Sequence, residues 1–394
     1  MDNQPFRVLV LNQISQKGLQ RLPAERYVAG KDVAEPDAVL VRSADMHGME
    51  IPASVKAIGR AGAGTNNIPV KAMSARGVPV FNAPGANANA VKELVLAGML
   101  IAARNLAPAQ RFVGQLDPAA QDLDTLVEDG KKNFAGSELA GQTLGIVGLG
   151  KIGCLVADAA IKLGMNVLGH DPEITVDAAW SLPAQVKKAA SVAEVLRSAN
   201  FVTLHVPLVD ATRDLVNQKN IGLLRKGAVL LNFSREGVVN DAAVLAALDA
   251  QLSWYVCDFP GPAILRHPRV VALPHLGAST REAEENCAVM VADQLRDYLE
   301  HGNVANAVNF PNVAMERESR FRVAIANANV PNMLGQISTA MAQAGLNIHN
   351  MVNKSRGDMA YTLVDVDSPV SDRVMAALKA IEGVLAVRYL PQAE

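Results

Sequence analysis

The sequence predicts an α/β protein: two doubly wound βα lobes followed by a small ferredoxin-like domain. Three observations carry that expectation. Short β-branched runs alternate with alanine- and leucine-rich stretches as far as His301, the pattern of stacked βα units around a parallel sheet. A glycine-rich turn between strand and helix falls at residue 148 and not near the start, so a whole βα lobe precedes it. After His301 the texture changes, and strand-like and helix-like runs follow in the order β-α-β-β-α-β.

Taken in order, Val8–Leu11, Ala38–Val41, Lys56–Gly59 and Val78–Phe81 read as the strands of the first lobe. Lys92–Arg104 reads as a long apolar helix that carries the chain into the second lobe, and amphipathic Ser279–His301 leads it back. Between them, Leu144–Val147, Asn166–Gly169, Phe201–Leu204, Ala228–Asn232, Tyr255–Cys257 and Val270–Leu273 read as strands of the second sheet. Residues 301–318 are polar, contain Pro311 and read as a linker. Phe321–Ala326, the turn at Asn329–Asn332, helix Met333–Ala344, strands Asn347–Lys354 and Met359–Asp365, helix Ser371–Ile381 and strand Val384–Leu390 complete the last domain. The expected domains are therefore 1–93 with 280–310 for substrate, 94–279 for a dinucleotide, and 319–394 for regulation.

One segment points to a cofactor. Strand Leu144–Val147 runs into Gly148-Leu149-Gly150-Lys151-Ile152-Gly153, a helix follows, and a second strand ends at Asp171, 18 residues past the last glycine. A lone G-x-G-x-x-G is weak evidence. Strand, helix and acid together make the Rossmann dinucleotide pattern. Gly148 permits the tight turn, Gly150 lets backbone approach the pyrophosphate, and Gly153 lets helix and strand pack closely. The helix N-terminus offers free N–H groups and the positive end of its dipole. Asp171 accepts from the ribose hydroxyls and repels a 2′-phosphate, so NAD is favoured over NADP.

Composition narrows the class. Half of the 394 residues are apolar and 19% are charged, as in a globular enzyme with a large core. A formal net charge of −2 gives no electrostatic reason for nucleic acid or membrane partners. No apolar run approaches a membrane span and no signal peptide is visible, so a cytoplasmic location is expected. Cys154, Cys257 and Cys287 lack metal-ligand spacing and read as buried free thiols, with no metal expected.

Three apolar strands end in polar residues: His205-Val206-Pro207, Asn232-Phe233-Ser234-Arg235, and Pro274-His275-Leu276-Gly277. Hydride transfer needs an acid/base and a carboxylate anchor at such strand ends. A histidine titrates near neutrality and suits the first task. An arginine binds a carboxylate in two places and suits the second.

These segments, with Gly59-Arg60-Ala61-Gly62-Ala63-Gly64, Phe81-Asn82-Ala83-Pro84-Gly85-Ala86-Asn87 and Cys257-Asp258-Phe259-Pro260, resemble the D-isomer-specific 2-hydroxyacid dehydrogenase family over nearly the whole chain. The resemblance implies His275 as general acid/base and Arg235 as substrate-carboxylate ligand. It implies Arg42 and Arg60 as phosphate ligands, with Ser43 and the Asn87 loop also on the substrate. It places Asp258 on the nicotinamide side of the cofactor, with His205, Val206, Pro207, Ser234 and Gly277 lining the same site. The implied reaction is NAD-dependent oxidation of D-3-phosphoglycerate to 3-phosphohydroxypyruvate, the first step of serine synthesis. A glyoxylate or hydroxypyruvate reductase is the nearest alternative, and a catalytically weak NAD-binding regulatory protein is another.

The chain departs from the family where a glutamate normally pairs with the catalytic histidine, since Ala263 stands there. Glu236 follows Arg235 where a small residue is usual. The last domain resembles the ACT family of amino-acid-sensing modules, with Asn329 and Asn347 at effector positions. That resemblance implies serine as effector between paired ACT domains, and a homo-oligomer. Asn327 and Asn332 replace a histidine and a glycine of that pattern.

Overall fold

The apolar runs of the first lobe form a five-stranded parallel sheet, in a computed structural model that describes residues 4–392. Its strands are β1 (Phe6–Leu11), β2 (Tyr27–Gly30), β3 (Ala38–Val41), β4 (Ala57–Arg60) and β5 (Val80–Phe81), in the order β2-β1-β3-β4-β5. Helices α1 (Gln16–Leu19) and α2 (Val70–Ala75) lie within its connections. Every residue of β3 is buried, as an unbroken apolar strand covered on both faces requires. Strand order reverses between β1 and β3, and ligands of open α/β sheets sit at the strand carboxyl ends beside such a reversal. Arg42 follows β3 at that place.

The chain divides into two units, one running to Asn87 and resuming at Arg281, the other Ala88–Thr280. The second unit begins with α3 (Ala88–Ala103), α4 (Leu106–Gly114) and α5 (Leu123–Gly130). Its seven-stranded parallel sheet comprises β6 (Thr143–Val147), β7 (Asn166–His170), β8 (Lys187–Lys188), β9 (Phe201–Leu204), β10 (Ala228–Asn232), β11 (Leu252–Cys257) and β12 (Val270–Ala272). The order is β12-β11-β10-β9-β6-β7-β8, so β6, which feeds the glycine turn, is an interior strand between β9 and β7. Helices α6 (Lys151–Lys162), α7 (Val176–Ser181), α8 (Val192–Ser198) and α9 (Asp241–Leu248) belong to the crossovers. One cluster joins Val95 and Met99 of α3 to Ile146, Val156, Leu231 and Val256.

The first unit resumes with α10 (Arg281–His301), which packs on its own sheet: a Cβ on Gly59 of β4 would press on Val291 and Leu295. The last part is β13 (Phe321–Ala328), α11 (Met333–Gln343), β14 (Ile348–Arg356), β15 (Met359–Val366), α12 (Asp372–Lys379) and β16 (Val384–Pro391). Its antiparallel sheet has the order β14-β15-β13-β16, the ferredoxin-like arrangement expected of an ACT-type domain.

The expected linker is a correction. Residues 302–318 are built into the first unit: Val304, Ala307, Phe310, Val313 and Met315 are buried in one cluster with Phe81 of β5 and Tyr361 of β15. Bridges join Phe81 to Ala307 and Val304 to Val313. Arg388 donates to the carbonyls of Tyr298 and Leu299, and Tyr361 Oη donates to that of Gly302 at 2.8 Å. Carbonyls at the C-terminal end of α10 thus take donors from the C-terminal sheet, that of Tyr298 in addition to Gly302 N at 2.9 Å. Arg322, fully buried on β13, donates to Asp365 at 2.6 and 2.9 Å and to the carbonyls of His301, Met315 and Glu316. Buried apolar residues three apart from Val304 to Val313 and then two apart to Met315 match neither helix nor strand periodicity, and Asn and Pro between them mask the pattern.

All three cysteines are buried and free, as the sequence indicated. Among the described residues, no helix is long and apolar enough to cross a membrane.

Candidate active site

In the second unit, β6 ends at Val147 and the chain turns at Gly148, whose φ of +93° lies in the left-handed region that glycine tolerates. A Cβ at Gly153 would collide with the Gly148 carbonyl, so helix and turn approach as closely as the sequence pattern required. Gly150 faces open space and would allow backbone contact with a ligand. It starts α6 without a side-chain cap, leaving first-turn N–H groups for an anion. Lys151 is exposed and Ile152 half-buried at that start. Asp171, just beyond β7, accepts from Leu149 N at 2.8 Å and Glu173 N at 2.9 Å, which ties the acid to the glycine turn. Each carboxylate oxygen keeps a further lone pair for a ribose hydroxyl.

His205 follows β9, and its carbonyl lies where a Cβ on Gly148 would clash. Its ring Nε2 is 3.0 Å from Thr203 Oγ1, and Nδ1 is buried without a partner among the described residues. Burial pushes its pKa down to about 4, so the ring is neutral near pH 7. Val206 is half-buried and Pro207 exposed beside it.

After β10, buried Asn232 shapes the next loop by accepting from Ser234 N at 3.1 Å and Ser234 Oγ at 2.8 Å and donating to the Arg235 carbonyl at 3.0 Å. Arg235 donates one N–H to the Ser234 carbonyl at 2.6 Å while its side chain stays exposed. After β11, Asp258 is 2% exposed and accepts the N–H groups of Leu276 and Gly277, each at 2.7 Å. The Asp258 carbonyl also accepts His275 N at 3.1 Å. Asp258 is thus the frame of the histidine loop, and its buried carboxylate already spends one lone pair on each oxygen.

His275 itself adopts φ +56° and is exposed, with its ring 4.5 Å from that of Phe259. Within this unit, among the described residues, no carboxylate forms an ion pair with it. Ala263 is exposed. Asp241 abuts the nearby Gly261, and its carboxyl is pushed up by burial and then by Glu236.

In the first unit, Arg60 ends β4 opposite Val41, and Arg42 directly follows Val41 at the end of β3. Burial pushes the Cys287 thiol up, against the pull of Arg60 and then Arg42 and with a small push from Glu284, so two cations and one acid share that neighbourhood. Arg42 pairs with Glu284 of α10. The Arg60 guanidinium lies over Gly62, where any Cβ would collide with it. The loop after β3 is pinned by Asn12, which accepts Ala44 N, and by Asn67, which donates to the Ala44 carbonyl at 2.7 Å. Ser43 is exposed there, and Asn87 is half-buried past the turn at Gly85.

The comparisons with known proteins fit this geometry. A profile described as the NAD binding domain of D-isomer specific 2-hydroxyacid dehydrogenases matches residues 96–277. A D-3-phosphoglycerate dehydrogenase of Haemophilus influenzae is 34% identical over 83% of this chain and 79% of its own length. The chain belongs to the D-isomer-specific 2-hydroxyacid dehydrogenase family. Within it, this dehydrogenase is similar to the D-3-phosphoglycerate dehydrogenases: that of Methanocaldococcus jannaschii is 33% identical over 85% of this chain, which spans 62% of the relative. The NAD+-bound 3-phosphoglycerate dehydrogenase structure from Entamoeba histolytica shares the fold, with a TM-score of 0.59 and 23% identity over 77% of this chain and 99% of that one. The glycine turn, uncapped helix and Asp171 accordingly fit NAD.

The effector positions of the dehydrogenase are not brought together within one chain. Asn329 follows β13 and donates its side-chain amide to the Gly357 carbonyl at 3.0 Å. Asn347 precedes β14, whose first residue pairs with Val366, the partner of Phe321 at the start of β13. The two asparagines therefore lie at opposite ends of the sheet, roughly 25 Å apart at about 3.3 Å per residue. Sequence reading missed Glu284 and Asn12, and gave Asn232 only as part of a strand-end segment with no role of its own. Glu284 looks like a solvated helix position, and its partner Arg42 is 242 residues away.

Proposed function

We propose that this dehydrogenase oxidises D-3-phosphoglycerate to 3-phosphohydroxypyruvate with NAD, the first step of serine synthesis. The observation that carries the reading is the pair Arg42 and Arg60, placed at the carboxyl ends of the neighbouring strands β3 and β4 and both acting on the Cys287 thiol. Two guanidiniums at a sheet reversal suit a phosphate, which an unphosphorylated 2-hydroxy acid would not need.

Bound NAD supplies the hydride acceptor. His275 takes the substrate hydroxyl proton on its ring nitrogen as the hydride leaves C2. Arg235 holds the carboxylate through its free N–H groups, fixing C2 and polarising the developing carbonyl. Asp258 keeps the His275 loop in place through its two N–H acceptances. Arg42 and Arg60 anchor the phosphate, with Ser43 and the Asn87 loop beside the substrate. Val206, Pro207, Ser234 and Gly277 line the cofactor. Serine as effector, bound between Asn329 of one copy and Asn347 of another, a homo-oligomeric state and a cytoplasmic location complete the proposal. The separation of the two asparagines within a chain supports an effector site shared between copies.

Absorbance of NADH during turnover of phosphoglycerate, glycerate and glyoxylate tests the function, with and without serine. Preference for phosphoglycerate by ten-fold or more in kcat/KM is the expected outcome. Equal turnover of glycerate would favour the reductase reading. The absence of a carboxylate paired with His275 within its unit favours a second reading, a weak catalyst, which negligible turnover of all three substrates would support.

A further inference from the structure

We propose that Glu284 is a movable counterion of the phosphate seat, displaced from Arg42 when substrate binds, and that it sets the anion charge needed to occupy that seat. The inference rests on the reading of Arg42 as a phosphate ligand.

Arg42 and Glu284 pair through one guanidinium N–H, with side chains 37% and 40% exposed. A pair this exposed contributes little and exchanges readily. Glu284 is not what holds the loop of Arg42. Asn12 and Asn67 fix the backbone at Ala44, and Glu284 reaches only the guanidinium. The acid also has somewhere to go. A cavity of about 520 Å³ opens at the carboxyl ends of β1 and β2, lined by Glu284 together with Gln13, Lys31 and Arg281. Lys31 lies just beyond β2, and Arg281, three residues earlier on α10, already pairs with Glu282, so the displaced carboxylate moves toward Lys31 in a cavity that Glu285 also lines.

The charge balance gives the consequence. A monoanionic carboxylate arriving at Arg42 replaces one carboxylate by another, and the exchange gains almost nothing. A phosphate dianion brings a second charge and a geometry that two guanidiniums match, so it displaces Glu284 with a net gain. Glu284 thereby keeps small carboxylates out of the seat.

The test is calorimetric titration of the full-length protein with inorganic phosphate and with acetate, beside steady-state kinetics with phosphoglycerate. Glu284→Gln should tighten phosphate binding by up to about five-fold, the most that an exposed pair withholds. Acetate binding should become measurable, and KM for phosphoglycerate should fall with kcat unchanged. Unchanged or weaker phosphate binding in Glu284→Gln would overturn the proposal and make Glu284 a support for Arg42. Arg42→Ala separates the two levels. If it abolishes phosphate binding while Glu284→Gln fails to tighten it, the counterion proposal alone falls. If Arg42→Ala leaves phosphate binding intact, the phosphate seat itself is misplaced.

Discussion

The carboxylate of Asp258 accepts the backbone N–H of Gly277 at 2.7 Å, and with the same grip on Leu276 it holds the loop that presents His275. The family resemblance assigned Asp258 to the cofactor. Its position shows a second task, which matters more in a chain without the usual acid beside the histidine. Asp258→Ala leaves two N–H groups without acceptors, one of them fully enclosed. Stability should fall by about 2–3 kcal/mol in urea denaturation. Turnover should drop ten-fold or more, since the histidine loop loses its frame. Asp258→Asn, which keeps one acceptor, should fall between the two. A variant with native stability and lost turnover would instead assign Asp258 to the chemistry alone.

Asp171 ties the glycine turn to the end of β7 through Leu149 N and is placed for the adenosine ribose. Asp171→Ala should weaken NAD binding by about ten-fold through loss of a charge-assisted hydrogen bond. It should also narrow the preference over NADP, because the charge that repels a 2′-phosphate is gone. Titration with both cofactors checks the ratio, and an unchanged ratio would remove Asp171 from cofactor choice.

The buried ring of His205 couples the nucleotide unit to pH. Its pKa is about 4 in the folded chain against roughly 6.5 when unfolded, so between these values the unfolded state binds more protons. Stability therefore rises with pH through this window and is lost as pH falls from about 6.5 to about 4. The full effect is about 3 kcal/mol at about 1.4 kcal/mol per pKa unit. His205→Gln, which cannot take up a proton there, should flatten the stability profile over that range. Equal slopes for both proteins would show that the ring is solvated or leaves its site.

Arg322 and Asp365 form a fully buried pair that also gathers the carbonyls of His301, Met315 and Glu316. Removing one partner strands the other charge, so Asp365→Ala should cost about 3–5 kcal/mol. Since the same network binds the C-terminal sheet to the end of α10, near-ultraviolet dichroism of the C-terminal sheet's Tyr361 and of Tyr298 on α10 should be lost together on heating. Separate transitions would show that the C-terminal sheet folds on its own.

The cofactor site was the most legible part. Gly148, Gly150, Gly153 and Asp171 lie within a short stretch, and each is required by local geometry: a positive φ, an open approach, a close packing and an acid at a strand end. The strands were legible for the same reason, because β3, buried at every position, must be apolar throughout, and β10 is apolar up to its closing Asn232. His275 and Arg235 were readable as polar residues closing apolar strands. Glu284 was not, since a glutamate on an amphipathic helix carries no mark of its partner. Nor was Asp258 as a loop frame, since its partners are backbone N–H donors that nearly any residue type supplies.

The sequence by itself determined the two βα lobes, the ferredoxin-like order at the end and a dinucleotide-binding domain for NAD, because each follows from patterns spanning a few adjacent residues. Tertiary structure alone decided what residues 302–318 do, which acid faces Arg42, and that Asn329 and Asn347 lie at opposite ends of one sheet. Those outcomes depend on which surfaces meet after the chain has folded back on itself. Val304, Phe310 and Met315 are buried only because Phe81 and Tyr361 arrive from distant strands to cover them, and no local periodicity encodes an arrival of that kind.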